Sequence, residues 1–208
     1  MSFNGLVQYV SYLESHGDLD RVKCRVDPVL EIAEVADRMV KNHGKALLFE
    51  DTGTGFPLLI NAFASDDRMA AAIGRKSLQD AGEEILALSE SMSGARKLTT
   101  KLARLPHLLS YIKLAPRRRR GRGECQEVIV PVNDLNILPV LKCWPHDGGR
   151  YITLPLVHTR HPLTGKVNLG MYRMQVMGSD TTGMHWHRHK TGARHFEAWK
   201  KEGKRMPV

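Results

Sequence analysis

No stretch of this sequence is apolar for long enough to span a bilayer, since the longest such run, Phe56 to Ala64, is interrupted by Asn61. The opening MSFNGLVQ has neither the basic segment nor the apolar core of a secretory leader, so none is expected. Cysteine is scarce. Cys24, Cys125 and Cys143 are odd in number, far apart and without a CxxC pair. That excludes a disulfide framework and points to reduced thiols in a cytoplasmic setting. What remains, 42% hydrophobic and 25% charged residues over 208 positions, is the make-up of a globular protein with one sizeable core or two small domains.

Acidic residues are missing from one region in particular. Between Lys113 and Arg122 six side chains are cationic and none is acidic, which concentrates much of the net charge of +9. Such a run can grip nucleic-acid phosphates. Five arginines lie between Pro116 and Gly123 with no aromatic among them to stack on bases, so a solvated linker between domains is the favoured reading and nucleic acid is not an expected partner.

The first hundred residues alternate helical and strand patterns. Leu6, Val10 and Leu13 have helical spacing, with Gly17 as the stop. Val22, Cys24 and Val26 alternate with Arg21, Lys23 and Arg25 and predict a half-buried strand. Asp27-Pro28 opens a helix whose apolar face runs Val29, Ile32, Ala33, Ala36, Met39, Val40, ended by Gly44. Strands follow at Ala46–Phe49 and Pro57–Ile60, then a helix from Ser65-Asp66 to Ile73 and another from Leu78 to Leu88. The order α-β-α-β-β-α-α predicts a small α/β layer domain. His16 and His43 fall at helix ends, where the dipole favours an imidazolium, so both read as structural. A helix from Arg96 to Lys113, divided at Pro106, completes this half.

Beyond the basic run the period becomes alternating. Strands are predicted at Gln126–Val132, Ile137–Lys142, Thr153–Thr159, Val167–Met177 and Met184–His189, with a turn from Trp144-Pro145 to Gly149. A last helix, Gly192 to Glu202, offers Phe196 and Trp199 for inward packing. Arg205 to Val208 reads as the entry to a further strand, as in part of a longer protein.

Chemistry is densest from Asn168 to Ala193, NLGMYRMQVMGSDTTGMHWHRHKTGA. His185, His187 and His189 alternate, so on a strand they would share a face, as a polar sheet surface or as a three-histidine zinc site. No nearby Asp, Glu or Cys completes a zinc site. Lys190, Thr191 and Gly192 ahead of a helix offer a cation, a hydroxyl and free amides to a phosphate. A metal held by a His and an Asn amide can bridge to such a phosphate. Arg173 falls within a strand, where a cation must be paired or face a cavity. Asn168 and Arg173 have opposite parity, so they share one site only if the strand bulges, for which Gly170 is the tolerant position.

These residues resemble the UbiD family of carboxy-lyases, whose type member decarboxylates 3-polyprenyl-4-hydroxybenzoate in ubiquinone biosynthesis. The resemblance runs through VDPVLEIAEVADR (Val26 to Arg38), ALLFE (Ala46 to Glu50), CQEVIVP from Cys125, LPVLKCWPHDGGRYIT (Leu138 to Thr153), NLGMYRMQ and MHWHRHKTGA. It implies prenylated FMN (prFMN) as cofactor, its phosphate held by a divalent ion, usually Mn2+, with K+ nearby. The metal ligands would be Asn168 and His189. Flavin contacts would come from Met171, Tyr172 and Arg173 and from His185, Trp186 and His187, with Lys190 and Thr191 close to the phosphate. Arg173 would be catalytic, gripping the substrate carboxylate, while the cofactor accepts the electrons left by carbon dioxide and a protein acid protonates the product.

The fold implied is α+β: an N-terminal α/β layer domain (1–115), a basic linker (116–124) and the first part of a flavin-reductase-like split β-barrel (125–208). The partners implied are an aromatic or α,β-unsaturated carboxylic acid, a prenyltransferase supplying the modified flavin, and further copies of the chain. Two departures stand out. Relatives commonly carry Gly-Gly where this chain has Thr191-Gly192, and the metal-binding Glu and the carboxylates that act with the arginine belong to sequence beyond Val208. A truncated form with little activity alone is therefore expected. The alternatives are a cofactor-binding or assembly subunit of a split enzyme, a basic nucleic-acid module and a zinc hydrolase.

Overall fold

The computed structural model describes residues 3–93, 121–123, 126–131 and 133–208. The expected helix from Arg96 to Lys113, most of the basic run and Cys125 lie outside them. The chain forms two compact units that interleave in sequence: Met1–His16 with Phe63–Pro131, and Gly17–Ala62 with Val132–Val208.

In the first unit, helix α1 (Leu6–Ser15) buries Tyr9 and Leu13, while Leu6 is left exposed. The i, i+4 pair wins because Tyr9 has aromatic neighbours: its ring stacks on Phe63 at 5.7 Å and meets Phe3 edge-on at 5.2 Å. The Tyr9 hydroxyl donates to the Arg68 carbonyl at 3.0 Å. Helix α3 (Asp66–Ala72) starts as its sequence predicts, with the Ser65 hydroxyl accepting from the Arg68 amide at 3.3 Å. Helix α4 (Leu78–Ser93) follows, and Arg75 reaches Glu84 with two donors at 2.9 and 2.6 Å. Val128, Ile129 and Val130 are exposed and form no strand, because no neighbouring ladder among the described residues takes up their amides.

The second unit begins with a three-stranded sheet, β1 (Leu19–Val22), β2 (Ala46–Phe49) and β3 (Leu58–Ile60), in that order. β1 runs parallel to β2 and β3 antiparallel. The expected strand at Val22–Val26 is displaced: the ladder pairs Leu19–Val22 with Ala46–Phe49, and the chain bends at Cys24 before the Val26 amide bonds to the Asp51 carbonyl at 3.1 Å. Val22 and Val26 still pack on the core of Ile32, Leu47 and Phe49, so their burial was predicted and their strand was not. Helix α2 (Glu31–Lys41) covers this core and starts later than Asp27-Pro28. Asp27 instead accepts the Val29 amide at 2.7 Å while its own amide donates to Glu31 at 2.8 Å.

The rest of this unit forms small open sheets. The expected strand at Ile137–Lys142 is a 3-10 turn, Leu135–Ile137, capped by Asp134 and followed by extended chain. Pro139 has no amide to give a ladder, and a single bridge joins Lys142 to Val29. Strands β4 (Tyr151–Ile152), β7 (Met174–Val176) and β8 (Thr182–Met184) form one sheet in the order β4-β7-β8. Strands β5 (Leu156–Arg160) and β6 (Val167–Met171) form a separate antiparallel ribbon, with Thr159 opposite Asn168. Helix α5 (Thr191–Lys201) packs on the ribbon through Gly192, Ala193 and His195, with the Trp199 indole donating to the Arg160 carbonyl at 2.7 Å. Phe196, expected to point inward, is 42% exposed, and Arg205–Val208 form no strand.

Ile32 is fully buried between α2 and the first sheet. Ile32→Ala is expected to lower the stability of this unit by about 2–5 kcal/mol, read as an earlier urea midpoint by circular dichroism.

Candidate functional site

The site is built around a break in the backbone. The expected strand Val167–Met177 is two strands belonging to two sheets, parted at Tyr172-Arg173 rather than bulged at Gly170. Tyr172 is buried and Arg173 is exposed. A side chain at Gly170 or Gly192 would meet the Tyr172 ring, with ideal Cβ positions 2.6 and 2.9 Å from its atoms. Gly170 thus serves the tyrosine rather than a bulge.

On the inner side, Tyr172 closes a buried polar chain. Its hydroxyl accepts from the Gly192 amide at 3.0 Å and from Asn168 Nδ2 at 3.3 Å. Asn168 Nδ2 also lies 3.4 Å from Thr159 Oγ1, a long bond, and Thr159 Oγ1 lies 3.0 Å from His195 Nδ1. Thr159 is fully buried and His195 is 5% exposed. Asn168 is thereby joined through Tyr172 to the first turn of α5, three residues after His189. One amide that the sequence reading offers to a phosphate, that of Gly192, already donates to Tyr172. The start of α5 carries no side-chain cap, and the Lys190 carbonyl accepts the Arg194 amide at 3.1 Å.

On the other side, the Arg173 guanidinium sits 3.5 Å over the Tyr151 ring, and His185 meets the same ring edge-on at 5.7 Å. The cation–π contact is worth about 0.5–1 kcal/mol at an exposed position. Asp147 lies 3.5 Å from Arg173 Nη2, a loose pair that leaves the guanidinium open to another anion. Burial, and next Asp147, raise the Cys143 thiol above its ordinary range, against the opposing pull of Arg173.

The remaining candidates are distributed around this break. Met171 lies exposed on the outer ribbon face with Leu156, Val167 and Leu169. Trp186 is half-buried between Tyr172, at 5.8 Å, and Phe196, at 5.7 Å. His187 and His189 stack at 5.6 Å, and Lys190 and Thr191 are exposed. The predicted strand Met184–His189 ends at Met184, and the histidine segment turns. The three imidazoles therefore do not share a sheet face, and no cluster of three or more His, Cys, Asp or Glu among the described residues can hold a metal. A three-histidine zinc centre is overturned. The sequence reading missed Thr159, Tyr151 and His195. Gly192 and His195, three apart on a helix, were the available signal for an inward histidine.

Two sequence models of one family match this chain: the 3-octaprenyl-4-hydroxybenzoate carboxy-lyase N-terminal domain over residues 10–87 and the Rift-related domain of the same carboxy-lyase over residues 117–208. An uncharacterized protein of Archaeoglobus fulgidus is 43% identical over 205 residues, covering 98% of this chain and 41% of the relative. One of Aquifex aeolicus is 38% identical over 211 residues, covering 99% and 43%. The chain spans about two fifths of the length of these relatives. Among solved structures, an evolved dimeric form of the UbiD-class enzyme HmfF from Pelotomaculum thermopropionicum in complex with prFMN aligns at TM-score 0.69 and 25% identity, covering 98% of this chain and 43% of that one. The closed form of Sedimentibacter hydroxybenzoicus vanillic acid decarboxylase aligns at TM-score 0.75 and 23% identity, covering 98% and 41%, which shows the shared fold.

Burial first, then His161 and Arg194, hold the His195 pKa below its ordinary value. The unfolded chain therefore binds a proton that the folded one refuses. Stability is intact above about pH 6.5 and declines as pH falls below it toward the lowered folded value, by at most about 1.4 kcal/mol per pH unit. His195→Asn is expected to flatten the dependence of the thermal midpoint on pH in that window, and an unchanged slope would contradict the assignment.

Proposed function

The chain belongs to the UbiD family of carboxy-lyases, and from that premise we propose that it forms the cofactor-phosphate end of a prFMN-dependent decarboxylase acting on an aromatic or α,β-unsaturated carboxylic acid. The observation that carries the reading is the split at Tyr172-Arg173. Asn168 and the Gly192 amide at the start of α5 meet at the Tyr172 hydroxyl, and the Arg173 guanidinium is left accessible over the Tyr151 ring.

The donor set fits a divalent ion bridged to phosphate. Both Asn168 Nδ2 bonds go to protein oxygens, and Asn168 Oδ1 has no partner among the described residues. Asn168 would offer a divalent ion an amide oxygen and His189 an imidazole nitrogen, and the ion would supply positive charge toward a phosphate. Asn168 and His189 would hold Mn2+, with K+ nearby and Lys190 and Thr191 beside the phosphate. Met171, Tyr172, Arg173, His185, Trp186 and His187 would border the flavin. Bound prFMN supplies the electron sink for decarboxylation. Arg173 binds the substrate carboxylate, and its seat on Tyr151 restricts where that carboxylate lies.

We propose further that residues 1–115 form the N-terminal domain, 116–124 the linker and 125–208 part of a split barrel, in a cytoplasmic homo-oligomer served by a prenyltransferase. Among the described residues no helix is long and apolar enough to cross a membrane. A second reading, a cofactor-binding subunit that works with a companion chain, is favoured by the outer ribbon face. There Leu156, Val167, Leu169 and Met171 are 54–68% exposed on one face of the ribbon. On that reading Leu169→Asp would release a co-purifying polypeptide and leave the helical circular dichroism signal unchanged.

The test is binding. FMN fluorescence should be quenched by the chain in the presence of Mn2+, and Asn168→Ala or His189→Ala should weaken that quenching at least about tenfold. Quenching of equal strength without Mn2+, or in both variants, would sink the metal-bridged reading.

A further inference from the structure

The buried polar chain behind Asn168 has a direction, and the direction follows from counting protons. Thr159 is fully buried, and its hydroxyl oxygen faces two groups, Asn168 Nδ2 and His195 Nδ1. An amide nitrogen can only donate, so Thr159 Oγ1 accepts from Asn168. The hydroxyl proton of Thr159 then needs an acceptor, because a buried donor left unpaired is costly. His195 Nδ1 is the lone pair within reach. With Asn168 in this orientation, His195 is neutral, bare at Nδ1 and protonated at Nε2. The order is Asn168 Nδ2–H to Thr159 Oγ1, then Thr159 O–H to His195 Nδ1.

We propose that His195 is a positioning residue for the metal-phosphate end of the site, acting through Thr159 to fix which end of the Asn168 amide faces outward. With both Nδ2 hydrogens spent, one on Thr159 and one on the Tyr172 hydroxyl, Oδ1 is the end left for a cation. A proton on His195 Nδ1 would reverse the chain. Thr159 would then turn its hydroxyl toward Asn168, the amide would present Oδ1 to Thr159 and to a Tyr172 hydroxyl that now donates, and an NH2 group would face the cation in its place. His195 touches neither cofactor nor substrate in this arrangement. Its Nδ1 reaches Asn168 only through the threonine, and its ring is held edge-on by His161 at 5.5 Å. The inference rests on the proposal that Asn168 is a metal ligand and adds what orients it.

Two measurements test it on the whole chain. Nitrogen-15 histidine spectra of the metal-free protein report the tautomer directly, and an Nε2–H signature for His195 is expected. An Nδ1–H tautomer would overturn the inference, whatever the metal does. Mn2+ binding, read from the loss of the free-ion electron paramagnetic resonance signal with FMN present, should weaken about 10–100-fold in Thr159→Val and in His195→Phe. Thr159→Ser, which keeps the hydroxyl, should recover most of that affinity. Thermal melts of the near-isosteric Val and Ser variants separate a lost hydrogen bond from a lost fold. Wild-type affinity in a folded Thr159→Val would overturn the positioning role while the site reading stands. A wild-type chain that binds no Mn2+ with FMN would overturn the site reading, and the positioning role with it.

Discussion

The burial of Tyr172 is the constraint from which the rest of the site follows. A large ring with a polar tip cannot be enclosed unless its hydroxyl is satisfied and space is cleared around it. Asn168 Nδ2 and the Gly192 amide both donate to the hydroxyl oxygen. Gly170 and Gly192 clear the space, since a Cβ at either would strike the ring. Three pieces of chain, the end of β6, the backbone break and the start of α5, are thus locked to one side chain. Enlarging either glycine forces the ring to move and the hydroxyl with it.

The same break divides the electrostatics. Behind Tyr172 lies a neutral chain of amide, hydroxyl and imidazole, buried deeply enough to hold the His195 pKa down. In front lies Arg173, kept accessible on the Tyr151 ring and tied only loosely to Asp147. On the proposed reading, this arrangement would offer a neutral amide to a metal and an accessible guanidinium to an anion, without setting like charges against each other.

The first layer contributes through the backbone. The Val29–Lys142 bridge and the Tyr151 amide bond to the Leu141 carbonyl, at 2.9 Å, tie the extended chain after Ile137 to the residues preceding helix α2 and to strand β4. The CWPHD turn lies on that path, and Asp147 accepts the Trp144 amide at 3.3 Å within it. Asp147 and Tyr151, the two side chains that border Arg173, are therefore set by the same stretch.

Much of this was legible in the linear chain. The order α-β-α-β-β-α-α followed from periodicity and caps, because amphipathic spacing and a Ser65 cap are local properties. Asn168, Arg173 and the histidine run were singled out by composition, and the parity conflict between Asn168 and Arg173 was visible before any fold was known. Its resolution was not visible, since a break at Tyr172-Arg173 depends on which sheet each half-strand joins. Strands expected at Gln126 and Ile137 failed because a ladder needs a partner as well as a pattern. Thr159 and His195 enter the site only because β5 lies beside β6 and α5 packs on both. Sequence by itself determined which residue types could bind a metal, a phosphate and a carboxylate. Tertiary structure alone decided which of them meet, because hydrogen-bond direction and burial belong to groups brought together across 9 and 36 residues of chain.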